Sequence, residues 1–344
     1  AVEDIGASFN IWAGTEEAGF SAKCLDRDLG RVLDVLGEVL AEPAFAEAEI
    51  EKTRGELLTG LREQEDSTRA QAELALIRML YPPEHPYARS SAGTRDTVCA
   101  LTQAELEQFH HAWYAPQGMK VSVAGALDAG LLREKLSGWL PGKRAAEPPA
   151  DLSVSPSLAG GLARAGMPHK SQVDIIMGGP GVRRHDPDFY ALWMVNLILG
   201  GLGLMGRLGE RVRDEQGIAY HVSCRAASRL WAGEWTASAG VAPQNVDRAI
   251  EAILVEVERI RSELVTEQEL ADAAAYLTGS IPVRMETNDG IAGYMLNTEY
   301  YGLGLDYVYR APEYIRSQTR ERLREAARRH MDPGGFSIAM AGPV

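Results

Sequence analysis

Apolar and polar residues alternate with a period of two in two separate stretches, residues 6–22 and 217–241, and glycines interrupt both. This alternation predicts one antiparallel hairpin in each half of the chain. Patterns with helical periodicity follow each hairpin, and each half closes on a shorter helix and a short apolar strand. Because the strands are segregated from the helices, the order predicts an α+β fold with helices on one face of each antiparallel sheet.

The predicted helices have matching places in the two halves. Thr266 and Glu269 have the spacing of a capping box, so a helix is expected to begin there. A strand at 172–178 and an apolar helix at 186–199 precede the second hairpin. The other helices are predicted at 26–40, 46–80 and 102–113, and at 243–262, 266–285 and 319–330.

Three blocks of sequence recur in the same order in both halves. The spacing between the copies is similar, at 217, 220 and 211 positions, which indicates a duplication with small insertions. The blocks pair residues 115–125 with 332–342, residues 45–61 with 265–281, and Gly6 with Gly217.

The duplication predicts two related lobes, residues 1–140 and 162–344. Residues 141–161 are rich in proline, alanine and serine without periodicity, as in a linker. Only five residues precede Gly6, whereas a strand and a helix precede Gly217. The first lobe is therefore expected to lack its opening strand and helix, about 50 to 60 residues.

Composition excludes several classes of partner. The formal net charge is −13, and basic residues are mixed with acidic ones, so neither nucleic acid nor an anionic membrane is an expected partner. The longest apolar run, residues 189–199, is about half of what a membrane span needs. The three cysteines are odd in number and lack CxxC spacing, which argues against a disulfide framework and a structural zinc site.

One segment carries a specific resemblance. Residues 199–220 read LGGLGLMGRLGERVRDEQGIAY, similar to the second-lobe signature of the pitrilysin, insulinase and mitochondrial processing peptidase family. The pattern of Phe109, Tyr114, Pro116 and Met119 before an alternating strand, and His85-Pro-Tyr87 before Gly93-Thr94, are similar to its first lobe. The resemblance covers essentially the whole chain. It implies two α/β-roll lobes, and it is greatest to the inactive subunit of a bacterial heterodimer.

Arg213 and Tyr220 stand seven residues apart within this signature. In the family, an arginine and a tyrosine at this spacing reach the scissile region of the substrate, so the resemblance implies that both bind peptide here. Guanidinium and phenol groups are donors that can hold a peptide carbonyl. The alternative is a solvated helix-end cation and an ordinary strand aromatic.

The catalytic half of such a peptidase needs His-x-x-Glu-His on a helix, where two histidines bind zinc and the glutamate activates water. The seven histidines of this sequence form no such motif, and the adjacent pair His110 and His111 points to different helix faces. The resemblance therefore implies no catalytic residue and no metal ligand in this chain. Zinc is expected in a partner chain.

The family takes its third zinc ligand from a glutamate on the long helix of the first lobe. Aligning Arg54 with the family pattern places Thr53 and Gly60 at the two glutamate positions, and neither can replace a carboxylate. A shifted alignment would keep Glu49 and Glu56 at the same spacing but lose the match of Arg54. The first alignment favours a lobe that never bound zinc.

The chain is expected to hold an extended peptide while a subunit with HxxEH supplies zinc. Three other functions are kept as alternatives. The alternatives are an ordinary zinc peptidase whose HxxEH segment lies outside these residues, a non-catalytic scaffold of the respiratory-complex kind, and a dinucleotide-binding enzyme. The last rests on Gly201, Gly203 and Gly206, which follow a predicted helix rather than a strand. The compartment, bacterial cytoplasm or periplasm, stays open.

Overall fold

The computed structural model describes residues 2–139, 152, 160–202 and 206–344, so most of the expected linker lies outside the described residues. No helix in these ranges is long and apolar enough to cross a membrane. The strands are β1 Ser8–Ala13, β2 Ala18–Lys23, β3 Gly161–Gly166, β4 Val173–Pro180, β5 Ala219–Ser228, β6 Gly233–Val241 and β7 Ser337–Gly342. The helices are α1 Leu29–Ala41, α2 Glu47–Asp66, α3 Thr68–Leu80, α4 Arg95–Ala100, α5 Gln103–Trp113, α6 Ala129–Ser137, α7 Phe189–Asn196, α8 Val246–Ser262, α9 Glu267–Arg284, α10 Asn288–Tyr300, α11 Tyr307–Arg316 and α12 Arg320–His330.

Helix caps follow the sequence closely. Thr102 accepts from the backbone of Glu105 and Glu105 reaches back to Thr102, so α5 begins with a capping box. Thr266 and Glu269 make the same pair of bonds before α9, as predicted. These polar residues satisfy backbone N–H groups that have no partner within their own helix.

The described residues form two compact units. The first comprises Ala1–Leu61, Ser91–Ala150 and Pro282–Leu305. Its core contains Val32, Leu36 and Leu40 on one face of α1, together with Trp139, whose indole N–H donates to the Leu33 carbonyl at 3.1 Å. Strands β1 and β2 pair in it as an antiparallel hairpin.

The second unit comprises Arg62–Ser90, Asp151–Ile281 and Asp306–Val344. Its five-stranded sheet has the order β3-β7-β4-β6-β5, in which β3 and β7 are parallel and the other neighbours are antiparallel. Almost every residue of β4 is buried, as expected of a central strand covered on both faces. Helix α3 packs over β3, β4 and β7, and its buried residues Leu76 and Leu80 cluster with Ile176.

The α+β class predicted from the sequence is confirmed. Helix α8 contacts β4 and β6, while α7 contacts β5, and α12 packs on α7 and α8. Since successive side chains of a strand point to opposite faces, Ile175 and Met177 point away from the α3 side that Ile176 faces. The sheet of the second unit thus carries α3 in addition to the helices expected on one face.

Two element predictions were wrong. The helix predicted over 46–80 is two helices, α2 and α3, because Ser67 leaves the helical conformation and its side chain caps α3 by accepting from Ala70. The strand predicted after Met119 is not formed: residues 119–124 have no regular structure. Among the described residues of the first unit, only β1 and β2 form a ladder, and residues 119–124 pair with neither strand.

The compact units do not follow the division by sequence repeats. Residues 62–90 of the first repeat belong to the second unit, and residues 282–305 of the second repeat belong to the first unit. The division into lobes at 1–140 and 162–344, which follows from the sequence duplication, stays a prediction.

Candidate functional site

The segment with the family signature follows α7 and is built from π-helical turns. Leu197–Gly201 continues α7 as one such turn, which kinks at Gly200 because the backbone of that residue is not helical, and Gly209–Glu215 forms a second turn. A Cβ placed on Gly206 would lie 2.7 Å from the Gly200 backbone, so the chain can pass itself here only with glycine at Gly206. Gly217 then adopts φ +62°, a left-handed conformation that ends the turn and starts β5.

Arg213 and Tyr220 lie on either side of this turn. The Arg213 carbonyl accepts from the Gly217 amide at 2.9 Å, so the arginine belongs to the turn itself. Both residues are exposed, and Tyr220 has 67% of its surface accessible. Within the described part of the chain, no hydrogen bond or ion pair is found for either side chain. They are therefore available to a ligand, although their role in binding peptide stays a prediction.

Tyr220 occupies a β-bulge at the beginning of β5. Ala219 pairs with Val241 and His221 pairs with Gly240, so Tyr220 is an extra residue with no partner on β6. A bulge changes the direction in which the inserted side chain points, and bulges are common beside functional sites. Since β5 is the last strand of the sheet in the described residues, its outer edge also presents backbone donors and acceptors.

A two-point ion pair fixes the segment before Arg213. Arg207 Nε donates to Glu269 Oε1 at 2.6 Å, and a second guanidinium nitrogen donates to Oε2 at 2.9 Å. Burial by itself raises the pKa of Glu269, but the hydrogen bonds from Arg207 and the Thr266 backbone outweigh burial and lower the pKa to about 2. The signature arginine thereby joins this segment to the N-terminus of α9.

The described residues do not fit a family zinc site. Thr53 and Gly60 are exposed on α2 and offer no carboxylate, and Arg54 instead donates to the backbone carbonyls of Val98 and Leu101 at the end of α4. The shifted pair, Glu49 and Glu56, is also exposed on α2.

In the described ranges, a single group of three metal-ligating side chains has its ligand atoms within 4.8 Å, namely Asp186, Asp188 and His330. Both Asp188 oxygens already accept from Arg329 and one accepts from His330. A cation would compete with the Arg329 guanidinium for the same oxygens, so this group is an ion-pair cluster at the start of α7.

The glycine motif of Gly201, Gly203 and Gly206 follows the wrong kind of secondary structure for a dinucleotide site. Its first glycine, Gly201, ends a π-helical turn that continues α7, as the sequence predicted, and Gly203 lies outside the described residues. In the dinucleotide fold, the fingerprint follows a strand so that the phosphate meets the start of the next helix. A helix before Gly201 does not provide that geometry.

From the sequence, no role was assigned to Asp174 and His221, which lie beside the bulge. Asp174 is buried in β4, and its Oδ1 lies 3.3 Å from His221 Nε2. A signal was present in the sequence, because an aspartate interrupts the apolar run at 173–177 and two adjacent apolar residues, Ile218 and Ala219, break the alternation just before Tyr220.

Two models of known protein families match this chain. The family model described as "Peptidase M16 inactive domain" matches residues 100–277, which include both Arg213 and Tyr220. The model described as "Insulinase (Peptidase family M16)" matches residues 1–94.

The chain is also similar to individual proteins of this family. The chain is 26% identical to an uncharacterized zinc protease of Streptomyces coelicolor over 83% of its own length and 63% of the relative, so it spans less than two thirds of that protein. It is 23% identical to a "Non-peptidase homolog" of Helicobacter pylori over 98% of its length and 78% of that protein. The crystal structure of a peptidase M16 inactive domain from Pseudomonas fluorescens is 25% identical and superposes with a TM-score of 0.87, covering 100% of this chain and 82% of that one. The chain belongs to peptidase family M16.

Proposed function

We propose that this chain is the peptide-holding half of an M16 peptidase, in which Arg213 and Tyr220 bind an extended peptide while a partner chain supplies zinc and HxxEH. The observation that carries the proposal is the pair of exposed side chains on either side of one turn, within the part of the chain that matches the inactive domain. Binding residues are found disproportionately on turns and loops that a rigid scaffold positions, and both side chains have such a place beside β5.

The chemistry of the two side chains suits a peptide backbone. The Arg213 guanidinium carries fixed N–H donors and keeps its charge, and the Tyr220 phenol can donate to a carbonyl oxygen. Both would strengthen their hydrogen bonds as negative charge develops on a carbonyl under attack. Neither group can activate water, so attack requires a base and a metal from elsewhere.

The outer edge of β5 offers a second source of affinity. An extended peptide that adds to an edge strand gains main-chain hydrogen bonds with little dependence on its sequence. Tyr220 stands at the beginning of this edge, where the bulge ends the regular pairing with β6. In this arrangement β5 holds the peptide and the two side chains select one of its carbonyls.

The proposal also places the catalytic zinc in a partner chain. The sequence contains no HxxEH, and Thr53 and Gly60 stand where the aligned helix would carry ligand glutamates. The relative in Helicobacter pylori bears the name "Non-peptidase homolog", which favours the same reading. The relatives that bear the name zinc protease favour the main alternative, an ordinary metallopeptidase whose zinc motif lies outside these residues.

The deciding experiment measures zinc content and cleavage of an internally quenched peptide by the full-length protein. The protein is assayed alone and mixed with the product of any neighbouring gene that encodes HxxEH. We expect cleavage only in the mixture, and we expect Arg213→Ala and Tyr220→Ala each to lower kcat/KM by about tenfold or more.

Two variants serve as matched controls. Arg211→Ala removes an exposed arginine from the same helical turn, where it pairs with Glu215, and Tyr309→Ala removes an exposed tyrosine from α11. Both are expected to keep kcat/KM within about twofold. Stoichiometric zinc and activity in the protein alone would establish the ordinary metallopeptidase. Indifference to both site substitutions would instead favour a scaffold.

A further inference from the structure

The bulge at Tyr220 is not required by the hairpin that contains it. The corresponding hairpin of the first repeat, β1 and β2, keeps one continuous register from Ser8–Lys23 to Ala13–Ala18. Phe9 occupies the place of Tyr220 in that hairpin and is not bulged. A cause specific to the second hairpin must therefore hold the extra residue in β5.

A row of three residues crosses the sheet directly beside the bulge. Gly240 of β6 pairs with His221 of β5 on one side and with Asp174 of β4 on the other. A Cβ placed on Gly240 would lie 2.3 Å from the Cε1 atom of His221, so the imidazole lies across the glycine. The missing side chain thus leaves the space in which His221 Nε2 lies 3.3 Å from Asp174 Oδ1, a close contact that does not have the geometry of a hydrogen bond.

Asp174 is itself firmly held. It is 3% exposed, and Gln172 Nε2 lies 3.2 Å from both of its carboxylate oxygens. The Thr68 hydroxyl at the start of α3 donates to Oδ2. A buried carboxylate with three polar neighbours is costly to displace, so Asp174 is a fixed point for the His221 ring.

We propose that Asp174 and His221 are positioning residues that hold the β-bulge and thereby set the direction of the Tyr220 phenol. This inference rests on the proposed function of Tyr220. Because the His221 ring lies across Gly240 and against Asp174, residues 221–228 cannot slip by one position along β6 to take up the extra residue without moving the ring from this place.

The first test is amide hydrogen exchange of the full-length chain. His221→Ala and Asp174→Asn should each speed exchange of the amides of residues 219–222 by about tenfold or more, because the bulge opens more often. Gly240→Ala should do the same by displacing the ring, and its effect should be smaller in a His221→Ala background. Ser223→Ala is the control, since it removes a hydrogen bond to Ser238 on the same two strands, away from the bulge.

The second test measures binding of fluorescein-labelled, unstructured peptides from a casein digest by fluorescence polarisation. We expect His221→Ala to weaken binding about as much as Tyr220→Ala, and the double variant to bind no more weakly than Tyr220→Ala alone. His221→Gln keeps a donor for Asp174 and should restore most of the affinity.

The outcomes separate this inference from the function on which it rests. Unchanged exchange at residues 219–222 in His221→Ala would overturn the positioning role. A loss of affinity that adds to that of Tyr220→Ala would also overturn it, since His221 would then bind peptide itself. If Tyr220→Ala leaves binding unchanged, the proposed function fails, while the exchange rates still decide whether Asp174 and His221 hold the bulge.

Discussion

Arg207 and Glu269 are joined by two parallel hydrogen bonds of 2.6 and 2.9 Å, which connect the signature segment to the first turn of α9. Glu269 also accepts from the Thr266 amide at 2.7 Å, so one carboxylate both caps its helix and anchors the arginine. A guanidinium and a carboxylate paired through two parallel hydrogen bonds stabilise the structure and also fix the orientation of both side chains. The turn that presents Arg213 therefore starts from a fixed point.

Replacing Arg207 by methionine should destabilise the protein by about 1–3 kcal/mol, because a partly buried carboxylate loses its charged partner. Urea unfolding measures the change. Arg211→Met is the matched control, since its pair with Glu215 is exposed and such pairs contribute about 0–1 kcal/mol. Equal effects of the two substitutions would contradict an anchoring role for Arg207.

Stability should fall in acid through Glu269. Its pKa is lowered from 4.5 to about 2, so its stabilising contribution is fully present above about pH 4.5 and is lost as the pH falls toward 2. Allowing for the partial exposure of the side chain, we expect about 1–2 kcal/mol from this group. Urea unfolding at several pH values between 5 and 3 should show a weaker pH dependence in Arg207→Met than in the parent protein.

Tyr81 supplies a buried hydrogen bond to the sheet. Its hydroxyl donates to Glu234 Oε2 at 2.6 Å, and Arg229 donates to the same oxygen. Burial, with the neighbouring Glu234 carboxylate, raises the pKa of Tyr81 above its usual range, so the phenol stays protonated.

Tyr81→Phe should therefore lower the free energy of unfolding by about 1–3 kcal/mol, because Glu234 loses one of two donors in a buried place. Urea unfolding of both proteins would measure this change in the free energy of unfolding. Tyr309→Phe removes a hydroxyl from an exposed ring and should change stability by less than about 0.5 kcal/mol. A neutral Tyr81→Phe would show that water replaces the lost donor.

Two glycines should respond in opposite directions to alanine. Gly206→Ala places a Cβ 2.7 Å from the Gly200 backbone and should destabilise by about 1–3 kcal/mol. Gly279→Ala lies on an open face of α9 with no atom within 4 Å and should stabilise by up to about 1 kcal/mol. Thermal unfolding of both variants tests whether close approach, rather than chain flexibility, explains Gly206.

Much of the local structure could be predicted because short-range patterns determine it. Thr102 and Thr266 marked helix starts, and the glycines at 6 and 217 marked the entry to both hairpins. The break at Ser67 was missed because helical periodicity continues on both sides of it, and the strand after Met119 failed because pairing depends on a neighbour that no local pattern supplies.

The candidate site was predicted in part. The signature located Arg213 and Tyr220, whose exposure the structure shows. The row of His221, Gly240 and Asp174 joins the hairpin of β5 and β6 to β4, which α7 and the signature segment separate from it in sequence, and only the sheet register brings Asp174 beside the other two. A histidine and an aspartate 47 positions apart carry no local sign that they meet.

By itself, the sequence determined the class of fold, the repeat and the segment that carries the family signature, because periodicity, caps and glycine turns act over a few residues. Only the tertiary structure decided that residues 62–90 pack in the second unit and residues 282–305 in the first, although these segments directly follow the matched blocks 45–61 and 265–281. The physical reason is that burial of apolar surface is non-directional: the apolar face of a helix such as α3 requires a sheet to cover, but it does not specify which one.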